Sequence, residues 1–226
     1  MLSYFIMVKI APSILSADFA RMGEEVKSVK AAGAEWLHID IMDGHFCPNL
    51  TMGPSMVKAL QKVTDLFLDV HLMVTNPENF FEAFAKAGAN LLTFHIEVDP
   101  HPEKKIAQVR DLGCEVGLSL NPDQPLESVL PYLPLVDLAL LMSVFPGFSG
   151  QKFIPEATAR AAQIREYIDA NGLSCRLQVD GGVNRLTAPE LIAAGVDIVV
   201  MGAAFFGEQD RTGLVKAIKA LPQRRT

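Results

Sequence analysis

Eight short runs rich in β-branched and other apolar residues recur along the chain, and each is followed by a longer amphipathic stretch. The runs are KIAPSIL from Lys9, WLHIDIM from Trp36, LFLDVHLMV from Leu66, LLTFHIEV from Leu91, EVGLSLN from Glu115, LALLMSV from Leu138, CRLQVDG from Cys175 and IVVMGAA from Ile198. Strand candidates that alternate with helix candidates in this way specify βα units around a parallel sheet. In NPENFFEAFAKAG, for example, Asn76 is expected to cap a helix and Pro77 to open it. An internal echo supports the repeat: AAGAEWL, KAGANLL and AAGVDIV place Gly33, Gly88 and Gly195, each ending a helix, just before a strand. A doubly wound open sheet usually carries a glycine-rich fingerprint after its first strand, whereas APSILSADF stands there in this chain. The expected fold is α/β, a single-domain (β/α)8 TIM barrel over residues 1–226 with residues 1–8 as a short N-terminal arm.

The length of 226 residues and an apolar half of the composition suit one such core, since barrels of this kind typically have roughly 250 residues. A formal charge of −6 argues against a nucleic-acid partner, whose binding depends on a basic face. Small molecules are the expected partners. The opening MLSYFIMVKI lacks the basic flank and cleavage site of a secretory signal, and no apolar run is long enough to span a bilayer. Cys47, Cys114 and Cys175 stand far apart with no C-x-x-C spacing, which argues against a disulfide framework or a thiolate zinc site and fits a reducing cytoplasm.

Side chains two apart on a strand share a face, so His38, Asp40 and Met42 point together, as do Asp69, His71 and Met73. The interior of a parallel barrel is normally filled by branched aliphatics, and polar residues near the C-terminal ends of its strands face the mouth where active sites form. His38, Asp40, His71 and Asp180 make an N2O2 set suited to Zn, Fe(II), Mn or Co. Asp69 reads as structural, and neither His95 nor Glu97 is assigned to catalysis. The last three loops, PGFSGQ (with Gly147, Phe148, Ser149 and Gly150), DGG (with Gly181 and Gly182) and MGAA (with Gly202 and Ala203), carry glycines that let backbone N–H groups approach an anion.

The segments APSILSADF, HIDIMDGHFCPNLTMGP, DVHLMV, GLSLNP, MSVFPGFSGQKFIPE, VDGGV and GAAFF together resemble the ribulose-phosphate 3-epimerase family over nearly the whole length. The resemblance implies interconversion of D-ribulose 5-phosphate and D-xylulose 5-phosphate in the pentose phosphate pathway. It implies one divalent metal ion per subunit on His38, Asp40, His71 and Asp180, with the two aspartates as the acid/base pair. It also implies substrate contacts from Ser13, His71, Met42, Met73 and Met142, and a homo-oligomer. The chemistry agrees: inverting C3 of a 2-ketose through a cis-enediolate takes a proton from one face and returns one to the other, which calls for two carboxyls in opposite protonation states. Three positions depart from the commonest family pattern: Phe145 stands where a polar residue is frequent, Ser149 replaces a glycine, and Ala203 replaces a serine that helps to hold phosphate. Phosphate recognition is therefore expected to rely on main-chain donors. Epimerisation of a hexulose phosphate such as D-allulose 6-phosphate is the competing enzymatic reading, and a non-catalytic sugar-phosphate-binding barrel the alternative from another class.

Overall fold

A computed structural model describes residues 7–222, so most of the expected N-terminal arm, residues 1–6, lies outside the described residues. The described residues form eight parallel strands: β1 (Lys9–Pro12), β2 (Trp36–Met42), β3 (Phe67–Met73), β4 (Leu91–His95), β5 (Glu115–Leu120), β6 (Leu138–Met142), β7 (Arg176–Asp180) and β8 (Ile198–Met201). Each strand pairs with its neighbour in sequence, β1 pairs with β8, and a bridge between Ser13 and His38 joins β1 to β2 to close the ring. The helices are α1 (Met22–Ala32), α2 (Pro54–Leu60), α3 (Phe81–Ala87), α4 (Glu103–Asp111), α5 (Glu156–Ala170), α6 (Ala188–Ala193), α7 (Ala203–Phe206) and α8 (Arg211–Lys219). This is the expected (β/α)8 barrel.

Alternation along the strands divides the core into two compartments. On β2 the outward Leu37, Ile39 and Ile41 join the large cluster beneath the helices, while the inward Trp36 joins Leu91, Leu138, Leu140, Ile198 and Val200 inside the barrel. Trp36 stacks on Phe67 at 4.2 Å between ring centroids, with Lys9 and Arg176 over the indole at 5.4 Å and 4.9 Å. That layer seals one end of the barrel, so polar chemistry is confined to the other.

Two local expectations change. Asn76 makes no capping side-chain bond; Pro77–Asn79 is a single 3-10 turn, and α3 begins at Phe81. The chain between β5 and β6 carries no α-helix but two 3-10 segments, Leu126–Ser128 and Leu130–Leu135, because Pro131 and Pro134 remove the N–H donors that an α-helix there would use. The three echoed glycines behave as expected, with Gly33, Gly88 and Gly195 at φ 89°, 103° and 92°.

Leu140 is completely buried in the barrel interior. Leu140→Ala is expected to cost about 2–5 kcal/mol of unfolding free energy, measured as a lowered urea midpoint at unchanged slope.

Candidate active site

Asp40 lies at the meeting of three strands. Its Oδ2 accepts a 2.5 Å hydrogen bond from the Ser13 hydroxyl after β1, and its Oδ1 faces His38 Nε2 at 3.3 Å and His71 Nδ1 at 3.4 Å. The register explains the convergence, since Asp40 on β2 is directly opposite His71 on β3. From the far side of the barrel, Asp180 at the end of β7 brings Oδ2 to 3.9 Å from His38 Nε2. Donor atoms of His38, Asp40, His71 and Asp180 all lie within 4.8 Å of one another, a set that fits a divalent metal.

The buried polar atoms of the histidines test that fit. His38 Nε2 and His71 Nδ1 are both buried without a hydrogen-bond partner, and both face the centre of the set. An unpaired buried nitrogen is costly unless something such as a cation takes its lone pair. The other nitrogen of each ring is occupied. His38 Nδ1 lies 2.7 Å from Asp69 Oδ2, which also accepts from the Gln178 amide at 2.7 Å. A carboxylate can only accept, so His38 donates from Nδ1 and leaves its Nε2 lone pair free. Asp69 therefore orients His38, a more specific role than the structural one read from the sequence. His71 Nε2 lies 2.8 Å from His95 Nε2, and His95 Nδ1 lies 3.1 Å from Glu97 Oε2.

The two carboxylates experience opposite environments. Burial opposes ionisation of Asp40, but the imidazoles of His38 and His71 outweigh it and hold this carboxyl well below its ordinary range. Burial and the adjacent Asp40 charge push Asp180 up to about 7. Burial disfavours a charged His38, yet Asp69 and Asp40 raise it well above the usual imidazole value. Burial lowers His71 to about 4.

Above this centre is a cavity of about 210 Å³. Ser13, Asp40, Met42, Met73, Met142, Gly147, Phe148, Ser149, Gly150, Asp180, Gly181, Gly182, Gly202 and Ala203 all line it. His38 and His71 are fully buried beneath its floor and are absent from its wall. Phe145 is also on the wall, and it and Phe148 are about half exposed at the rim. Gly182 has φ 64°, and a Cβ there would meet the Phe153 backbone nitrogen at 2.6 Å, so only glycine fits.

Several residues that the sequence did not single out fix this geometry. Ser143 donates to the carbonyls of Asp180 and Gly181 at 2.8 Å and 2.6 Å and so pins the turn that carries Asp180. Asp43 accepts from the backbone of His45, Phe46 and Thr75 and from the Thr75 hydroxyl, tying the loop after β2 to that after β3. Asn49 donates to the Gly147 carbonyl at 2.7 Å and links opposite sides of the mouth. The SVF stretch and the aspartate after the His-x-Asp were visible, but Ser143 meets the end of β7 and Asp43 the loop after β3, contacts that only the closed barrel brings together.

A cluster of four convergent donors at the C-terminal mouth of a parallel barrel, under a glycine-lined cavity, is the site of a (β/α)8-barrel enzyme. Residues 9–206 match the ribulose-phosphate 3 epimerase family. Ribulose-phosphate 3-epimerase of Bacillus subtilis (strain 168) is 46% identical over 214 residues, covering 94% of this chain and 99% of the relative. The chloroplastic ribulose-5-phosphate-3-epimerase of Arabidopsis thaliana is 45% identical over 213 residues, covering 93% and 76%. Among solved structures, 3-hexulose-6-phosphate synthase from Salmonella typhimurium shares the fold with a TM-score of 0.71 at 17% identity, covering 94% of this chain and 97% of that one. The chain belongs to the ribulose-phosphate 3-epimerase family and is an epimerase of the isomerase class.

Protons and a divalent cation compete for Nε2 of His38, whose hold on a proton Asp69 and Asp40 strengthen, so metal uptake releases a proton and strengthens as pH rises. Chelator competition with Zn(II) is expected to give an apparent affinity at least about tenfold weaker at pH 6 than at pH 8. A constant affinity across that interval contradicts the assignment.

Proposed function

We propose that this protein inverts C3 of D-ribulose 5-phosphate to give D-xylulose 5-phosphate, with Asp40 and Asp180 as the two proton carriers. One observation carries the reading: two carboxyls in opposite electrostatic surroundings, Asp40 favoured as the carboxylate and Asp180 pushed up to about 7, converge on a single cavity from β2 and from β7. The ionised Asp40 takes the C3 proton from one face while a protonated Asp180 delivers one to the other, and the roles exchange in the reverse direction. A single base would return the proton to the face it came from. The names of the relatives, which cover nearly the whole chain, support the pentulose phosphate as substrate.

His38, Asp40, His71 and Asp180 would hold the metal, and Zn, Fe(II), Mn and Co all suit two imidazoles and two carboxylates. When bound, the ion supplies Lewis-acid stabilisation of the negative charge that develops on the enediolate oxygens. Ser13 orients Asp40 through the hydroxyl bond. Met42, Met73 and Met142 supply a polarizable wall that keeps water from the reacting face without strong donors.

At the far end of the cavity, the turns at Gly147–Gly150, Gly181–Gly182 and Gly202–Ala203 are suited to cradle the phosphate by backbone N–H groups. A cytoplasmic setting agrees with three free, buried cysteines, two of which burial pushes up to about 11 (Cys47) and about 12 (Cys175). Among the described residues no helix is long and apolar enough to cross a membrane.

Asp40→Asn and Asp180→Asn are each expected to lower turnover of ribulose 5-phosphate by at least about a hundredfold in a coupled assay. Activity of either variant within roughly tenfold of wild type would sink the two-base reading. Ala203→Ser, which adds a hydroxyl beside the proposed phosphate cradle, is expected to lower KM and leave kcat little changed. An unchanged KM would remove the support for a cradle built from main-chain donors.

A further inference from the structure

His95 is fully buried behind His71, and the two rings lie end to end and nearly coplanar, with centroids 5.0 Å apart and planes 19° from parallel. Phe46 covers the other side of His95 at 4.6 Å. The polar contacts along this row run in one direction. Glu97 uses both of its oxygens as acceptors, Oε1 from the Asn121 backbone N–H at 2.6 Å and Oε2 towards His95 Nδ1 at 3.1 Å. Asn121 cannot yield, because Arg160 on α5 holds its loop by donating to the carbonyls of Asn121, Pro122 and Gln124.

A carboxylate that already accepts one fixed N–H can only accept from His95, so His95 carries its proton on Nδ1 and presents a lone pair at Nε2. His71 Nε2, 2.8 Å away, must then be the donor, and its own lone pair is left on Nδ1, the unpartnered atom that faces Asp40. With the opposite tautomer at His95, an N–H of His71 would point into the centre and no cation could be held there.

We propose that Glu97 and His95 are positioning residues that select the tautomer of His71 and so make its Nδ1 a ligand atom. The inference rests on the reading of His71 as a metal ligand. Asp69 does the same for His38 through one bond, whereas His71 is set through two.

Glu97→Gln is diagnostic because an amide has one oxygen for two demands. The oxygen stays with the fixed Asn121 N–H, the amide NH2 faces His95, and the tautomers of both histidines reverse. Zn(II) affinity by chelator competition is expected to fall about 10- to 100-fold. The visible spectrum of the Co(II)-loaded protein should change as a nitrogen ligand is lost, while the metal-free protein keeps its wild-type Tm.

A second pair of variants separates polarity from packing. His95→Gln can still accept from His71 and donate to Glu97, and its metal affinity is expected to stay near that of wild type. His95→Leu fills similar space without either bond and is expected to lose about 10- to 100-fold. Wild-type affinity and an unchanged Co(II) spectrum in Glu97→Gln overturn the relay alone, as does equal metal binding by His95→Gln and His95→Leu. Failure of the wild-type chain to take up metal overturns the ligand set and the relay together.

Discussion

The burial of Asp40 is the constraint on which the rest of the site depends. A carboxylate that is only 3% exposed is tolerable only where neighbours replace the water it has lost. Here the replacement comes from a hydroxyl after β1 and from the positive charge that would sit between Asp40 and the two imidazoles beside it, one two residues away on β2 and one opposite it on β3. Each partner must then be oriented in turn, which accounts for Asp69 and Gln178 behind one histidine and His95 and Glu97 behind the other. Removing one partner of such a network leaves charges and donors uncompensated, and for this reason the polar groups persist in a barrel interior that is otherwise largely apolar.

The same arrangement makes two identical side chains chemically different. Asp40 is enclosed by imidazoles and stays ionised; Asp180 meets the charge of Asp40 and resists a second negative charge in the same small volume. Ser143 fixes Asp180 only through the backbone of its turn, so its carboxyl keeps some exposure to the cavity while the Asp40 carboxyl is locked. An acid and a base are therefore produced by position on the barrel, without any difference in residue type.

Strand starts were legible to within a residue, because each depends on where a local apolar run begins. Strand ends were not: KIAPSIL continues past Pro12 into a 3-10 turn and LLTFHIEV past His95 into another, since the polypeptide leaves the sheet where it builds the mouth. Local pattern also overestimated helix between β5 and β6, where two prolines decide the conformation. At the site, His38, Asp40, His71 and Asp180 could be named from inward alternation and from the family motifs they sit in. The functions of Asp69, His95 and Ser143 could not, because each acts through a partner on another strand that is set by the stagger of the closed barrel, and the function of Glu97 could not because it works through His95 on His71. A side-chain period shows that a residue points inward; it does not show what it meets there.

The central claim, that two carboxyls serve the two faces of C3, is tested most directly by a single turnover of ribulose 5-phosphate bearing protium at C3 in deuterium oxide. Transfer between two separate groups predicts xylulose 5-phosphate that carries deuterium at C3 from the first turnover, with no substrate-derived protium passed on. Product that retains the substrate's own C3 hydrogen would mean that one group carries it between the faces, and would contradict the account.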